Sequence, residues 1–307
     1  MANEDAHQIA ARIAQKFRDA GGKCAVVYTA HTDAALLRRL LRRDRIIISL
    51  ALTLLTALAW SYLLWLSADM DMSGMDMTGF RMIPSGIWLM MPAHAPWQGV
   101  EVGFVFAMWV VMMVGMMTPS AVPMILMYDR LGRQTEAQGT PLASTVWFGV
   151  GYFLVWAAFS LLATLVHLAL DRSALLVSAM VGTSNVLAAL SFIAAGSYQW
   201  TRLKAICLAQ CRTPFAFLIR NGGFRHDAVG CVMLGLRHGA YCIGCCWALM
   251  TLLFVDGVDG MMNIRWVLLL ALVVLLEKVT PFGRQLSLLA GIVLIALGAW
   301  LLSMGIS

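Results

Sequence analysis

"IIISLALTLLTALAWSYLLWLS", residues 46–67, decides the fold class. It carries no charged side chain, and its length matches the roughly 20 apolar residues that cross a bilayer core. The stretch before it, "LLRRLLRRDR" at residues 36–45, crowds arginine against its start. The run begins too deep for a cleavable leader, and no small-residue cleavage site follows closely, so it reads as a retained signal anchor.

Six further apolar runs follow, at about 102–127, 144–169, 181–203, 239–256, 261–279 and 286–304. The whole chain is 61% hydrophobic and only 12% charged, against about 45–50% and about 25% for soluble domains. Such a chain cannot cover itself with polar surface. The sequence therefore predicts an all-α, polytopic transmembrane helix bundle of about seven spans (residues 46–307), preceded by a polar segment at residues 1–45. Residues 205–238 are broken by Arg212, Arg220, Arg225, Arg237 and Gly222–Gly223. They read as an interfacial stretch or as the polar start of a long fifth helix, which opens at either Asp227 or Gly239.

The net charge of +6 reports orientation rather than a nucleic-acid partner. With the N-terminus cytoplasmic, the inner loops hold Arg130, Arg133, Arg202, Lys204, Arg212, Arg220, Arg225, Lys278 and Arg284. The outer loops hold Arg81, Arg172 and Arg265, with Asp69, Asp71, Asp76, Asp171, Asp256 and Asp259 beside them. The positive-inside rule then puts the C-terminus outside. The location expected is the bacterial cytoplasmic membrane, with the lipid bilayer as first partner.

Four constellations carry chemistry. In "HGAYCIGCCW", residues 238–247, a helix places His238, Cys242, Cys245 and Cys246 at i, i+4, i+7 and i+8, on one face. "CLAQC" adds Cys207 and Cys211, four apart at the inner end of the fourth run. Thiolates and imidazole suit Cu(I) or zinc, although free cysteine also serves as a small buried hydrophobe. Cys231 reads as packing.

The second run, "FAMWVVMMVGMMTPSAVPMILMY" at residues 106–128, lines up Met108, Met112 and Met116, with Met113 and Met117 as a neighbouring row. Methionine stripes are commonly core, yet thioethers are soft ligands for Cu(I). Pro119 and Pro123 interrupt the helix beside them. The loop "DMDMSGMDM", residues 69–77, interleaves Met70, Met72, Met75 and Met77 with three aspartates on the outer side. It is either a metal-capture loop, with His94 from "MMPAHAPW" as a further ligand, or a loop resting on the membrane surface. "LLEKV", residues 275–279, leaves Glu277 as a hard ligand, a proton acceptor or a marker of the membrane edge, with Lys278 snorkelling.

Together "MWVVMMVGMMTPSAVPM", "YQWTRLKAICLAQCRTP", "HGAYCIGCCWALM" and "LEKV" resemble the bacterial family catalogued as domain of unknown function 2182. The resemblance covers roughly residues 100–282. It implies metal binding and several spans, and no activity.

The leading functional expectation is copper handling: Cu(I) binding, delivery or transport through Met-rich and Cys-rich stations. Zinc and iron stay open, since thiolate binds all three. A periplasmic or cytoplasmic metal-donor or metal-acceptor protein would be the partner. A membrane copper-dependent oxygenase, or its metal-bearing subunit, is the first alternative. Its candidate nitrogen and oxygen ligands (His94, His167, His238, Glu277 and the outer aspartates) are few and spread in depth. Thiol–disulfide exchange at Cys242 and Cys245 is the second, on a local pattern similar to vitamin K epoxide reductases. A scaffold subunit without chemistry is the third.

Overall fold

The computed structural model describes residues 26–70, 80–82, 90–92, 95–136, 145–172, 181–221, 227–255 and 263–306. Helix α1 spans Val26–Met70, α2 Gly99–Glu136, α3 Thr145–Arg172, α4 Val181–Gln199, α5 Arg202–Arg212 and α6 Pro214–Arg220. Helix α7 spans Ala228–Thr251, α8 Ile264–Val279 and α9 Gly283–Ile306. Two three-residue strands, β1 (Phe80–Met82) and β2 (Met90–Pro92), pair antiparallel with Arg81 opposite Met91. Residues Met1–Ile47 and Ile48–Ser307 cluster as separate units.

The chain is a multi-pass helical membrane protein. Among the described residues five helices are long and apolar enough to cross a bilayer: Ile46–Ala68, Gly99–Arg130, Thr145–Leu170, Ala228–Phe254 and Gly283–Met304. The two other expected runs form shorter helices. The apolar part of α4 is Val186–Gln199. Helix α8 has 16 residues, about 24 Å at 1.5 Å per residue, short of a hydrocarbon core of about 30 Å. The count of seven is thus an approximation to five full-length spans and two short helices. Leucines on the outer faces, such as Leu54, Leu58, Leu162 and Leu165, stay exposed in the isolated chain, as lipid-facing residues must.

The segment that the sequence left ambiguous resolves into three helices. Thr201 ends the α4 turn and caps α5, its hydroxyl accepting from Lys204 N at 3.3 Å. Pro214 opens α6, where its missing N–H costs nothing. Helix α7 starts early, because the Asp227 carboxylate accepts from Gly230 N at 2.6 Å and caps it. His238 therefore sits well inside a helix, not at an aqueous edge.

Glycines set the helix spacing. A Cβ on Gly151 would lie 2.1 Å from Val232 O, and one on Gly235 would lie 2.1 Å from Phe148 O. Helices α3 and α7 thus touch backbone to backbone. Helices α4 and α9 do the same, with a Gly196 Cβ 2.8 Å from Gly291 O. In lipid no hydrophobic drive brings helices together, so close packing over small residues supplies the attraction.

The break in α2 is satisfied from outside the helix. Pro119 has no N–H, which strips the Gly115 carbonyl of its helical donor. Trp60 of α1 supplies one, its Nε1 donating to Gly115 O at 3.3 Å. Ser120 Oγ and Tyr152 OH donate to Met117 O at 2.9 and 3.3 Å.

Candidate metal centre

Helix α7 carries the site, and its buried face explains the placement. Cys231, Gly235, His238, Cys242, Cys245 and Cys246 are all buried along it. The glycines let α3 approach closely, which brings Tyr152 against Cys242. Their OH and Sγ share a hydrogen bond of 3.2 Å.

Helix α5 packs its Lys204, Cys207 and Leu208 face inward, at a spacing of i, i+3 and i+4. Cys207 needs Gly244 opposite it: a Cβ there would lie 2.7 Å from Cys207 Sγ. Tyr198 OH donates to the carbonyl of the same glycine. At the far end of α5, Arg212 donates to Thr280 O at 2.8 Å and Pro281 O at 2.7 Å. That clamp caps the C-terminus of α8 and holds Cys211 beside Cys242 and Cys245.

Helix α8 delivers the cation. Lys278 Nζ donates to Cys242 Sγ at 3.0 Å and to Ser120 Oγ at 3.1 Å, and lies 4.0 Å from Met117 Sδ. The side chain is 8% exposed, so the expected snorkelling does not occur and the ammonium turns inward instead. Cys245 and Cys246 each donate to Cys242 O, at 3.1 and 3.0 Å. Burial pushes the Cys207 thiol above its ordinary range, and nearby Cys245 adds to the shift.

Glu277 points elsewhere. Its carboxylate takes Lys204 Nζ at 2.8 and 3.0 Å, with both side chains almost wholly buried. Lys204 also donates to Gln199, which accepts from Ser287 Oγ at 3.1 Å. Glu277 thus closes a buried polar network between α4, α5, α8 and α9.

His238 stands one turn before Cys242, boxed by Phe148, Tyr152 and Phe217 at ring distances of 5.8, 5.8 and 5.1 Å. Its buried Nδ1 has no hydrogen-bond partner among the described residues. Met108, Met112, Met113, Met116 and Met117 are all buried, and Met117 reaches the cluster at Lys278. From Met108 to Met117 the helix rises about 14 Å, so the methionine face runs away from the cysteines along α2. Cys231 is held apart, sharing a 2.7 Å hydrogen bond with Tyr128 OH. Met72, Met75, Met77 and His94 lie outside the described residues, as does the side chain of Met70. A lateral cavity of about 560 Å³, lined by Leu52, Val110, Val114 and Phe153 among others, includes none of the sulfur donors.

Among the described residues no three His, Cys, Asp or Glu side chains are arranged as a finished metal cage. The donor set is nevertheless soft: thiols, a thioether and an imidazole nitrogen without a partner, which suit Cu(I) better than hard cations. Sequence reading missed Tyr152, Ser120 and Gln199, since nothing near them in the chain marks them. Lys278 carried the one usable signal, a second ionisable residue beside Glu277 in an apolar helix.

A family described as copper chaperone, PpoB2, matches residues 106–301, which include α7 and the methionine face. The chain belongs to this copper chaperone family. No curated protein and no solved structure matches it.

Proposed function

We propose that this member of the copper chaperone family binds Cu(I) within the membrane and passes it on, through a centre built on Cys242. The observation that carries the reading is the convergence on Cys242 Sγ. Lys278 and Tyr152 meet there from two other helices, Met117 of a third lies 4.0 Å from the Lys278 ammonium, and Cys211 and Cys245 adjoin. Thiol and thioether sulfur hold Cu(I) in low coordination. His238 Nδ1, Cys207 and Cys246 are the further donors within the same buried region, and Glu277 acts by fixing Lys204 rather than as a ligand.

The methionines of α2 form the approach. Met108, Met112, Met113 and Met116 offer thioethers in steps of one turn toward Met117, so a Cu(I) ion could exchange between neighbours. In this reading Met70, Met72, Met75, Met77 and His94 take up the ion on the outer side, and a soluble metal-donor or metal-acceptor protein completes the transfer. The charge distribution supports an N-terminus inside and a C-terminus outside in a bacterial cytoplasmic membrane.

The test is Cu(I) titration of the detergent-purified full chain against a chromophoric chelator. Tight binding is expected in the wild type. It should vanish when Cys207, Cys211, Cys242, Cys245 and Cys246 are replaced together by serine. Binding unchanged in that variant would remove the centre.

A further inference from the structure

We infer that Lys278 is the specificity-determining residue of the Cys242 centre: its fixed ammonium admits a monovalent soft cation and turns away divalent ones. The inference rests on the Cu(I) reading above and deepens it.

The geometry singles out this lysine. Two lysines, Lys204 and Lys278, are buried, and only one of them pairs with the buried carboxylate Glu277. Lys204 takes it at 2.8 Å. Lys278 makes no salt bridge to a carboxylate among the described residues, and its neighbours are Cys242 Sγ, Ser120 Oγ and Met117 Sδ. A buried charge needs a compensating one. Its direct contacts are instead the Cys242 sulfur and the Ser120 hydroxyl.

Lys278 therefore places its ammonium inside the centre before any metal arrives. Its stem is packed, and its ammonium is fixed by contacts from α2 and α7. Any ion bound by Cys242 and Met117 sits within a few ångströms of that ammonium. Repulsion scales with the charge of the ion. At about 5 Å and an effective dielectric near 20, the second unit of charge on Zn(II) costs about three hundredfold in affinity relative to Cu(I). Thiolate ligands alone would not discriminate this way, because they bind zinc strongly.

The experiment measures Cu(I) and Zn(II) affinities of the full-length chain in detergent, each by chelator competition. It compares wild type, Lys278→Leu and Lys278→Arg. Leucine removes the charge without adding a ligand, and Lys278→Gln replaces it if the leucine variant fails to fold. Losing the charge should improve Zn(II) relative to Cu(I) by at least about tenfold, within the roughly three hundredfold set by that repulsion. Lys278→Arg should keep the wild-type ratio. Both metals are read on the same protein, so a merely structural role would lower both affinities together and leave the ratio unmoved. An unchanged ratio in the neutral variant, with Cu(I) binding intact, overturns the inference alone. A ratio shifted as far by arginine as by the neutral variant overturns it too. Absence of Cu(I) binding in the wild type overturns the centre itself and the inference with it.

Discussion

Lys204 Nζ lies 2.8 Å from Glu277 Oε2, with 1% and 2% of the two side chains exposed. The pair ties α5 to α8 and so fixes where Cys207 and Cys211 stand relative to Lys278. Removing one partner of such a pair strands the other charge, whereas replacing both leaves nothing to solvate. Glu277→Leu should lower stability by about 3–5 kcal/mol. The double variant Lys204→Met/Glu277→Leu should recover most of it. Thermal unfolding in detergent decides: no recovery in the double variant would show that Glu277 does more than neutralise Lys204.

Trp60 and Pro119 form a second coupled pair, linked through the Gly115 carbonyl. Trp60→Phe removes the outside donor and leaves a carbonyl unpaired in an apolar setting, a loss of about 1–3 kcal/mol. Pro119→Ala restores a helical N–H to the same carbonyl. In a double-mutant cycle the Trp60→Phe penalty should shrink once alanine occupies position 119. Additive effects would mean that the indole matters only through its packing.

Gly235 tests the contact of α3 with α7. A Cβ there would meet Phe148 O at 2.1 Å, and neither backbone can swing aside as a side chain would. Gly235→Ala should cost at least the upper end of the roughly 1–3 kcal/mol typical of overpacking. It should also pull Tyr152 away from Cys242. The check is unfolding temperature together with alkylation of Cys242, which should become faster. An unaltered rate in a destabilised variant would separate packing from the site.

Cysteines of one helix should differ in their effect on copper. Cys242→Ser should weaken Cu(I) binding by a hundredfold or so, a loss of about 2.7 kcal/mol. Cys231→Ala should leave binding within about twofold, because Cys231 hydrogen-bonds Tyr128 and lies apart from the other thiols. Met117→Leu should fall between them. Chelator competition on the three variants ranks them, and equal losses for Cys231 and Cys242 would dissolve the centre into general destabilisation.

Much of this was legible without coordinates. Apolar runs without charge require lipid whatever they pack against, so the class of fold followed from residues such as those at 46–67. The helical period alone put His238, Cys242, Cys245 and Cys246 on one face, because 3.6 residues per turn is fixed by backbone chemistry. The α7 start at Ala228 was not legible in the same way. An Asp227 cap and an Arg237 charge compete at the sequence level, and the fold settled the matter by burying one face of the stretch after the cap, Cys231, Leu234 and Gly235, while Arg237 stays exposed.

Residue identity and local period determined the helices, their polar interruptions and the soft character of the donors. The tertiary structure alone decided the partnerships across helices. Two lysines and one glutamate permit more than one pairing, and the packing of α5 against Gly244 of α7, with the Arg212 clamp on α8, places Lys204 at Glu277 and leaves Lys278 at Cys242. The reason is distance: Coulomb and hydrogen-bond energies are set by a few ångströms between residues more than 30 positions apart, and no local pattern in a chain encodes that separation.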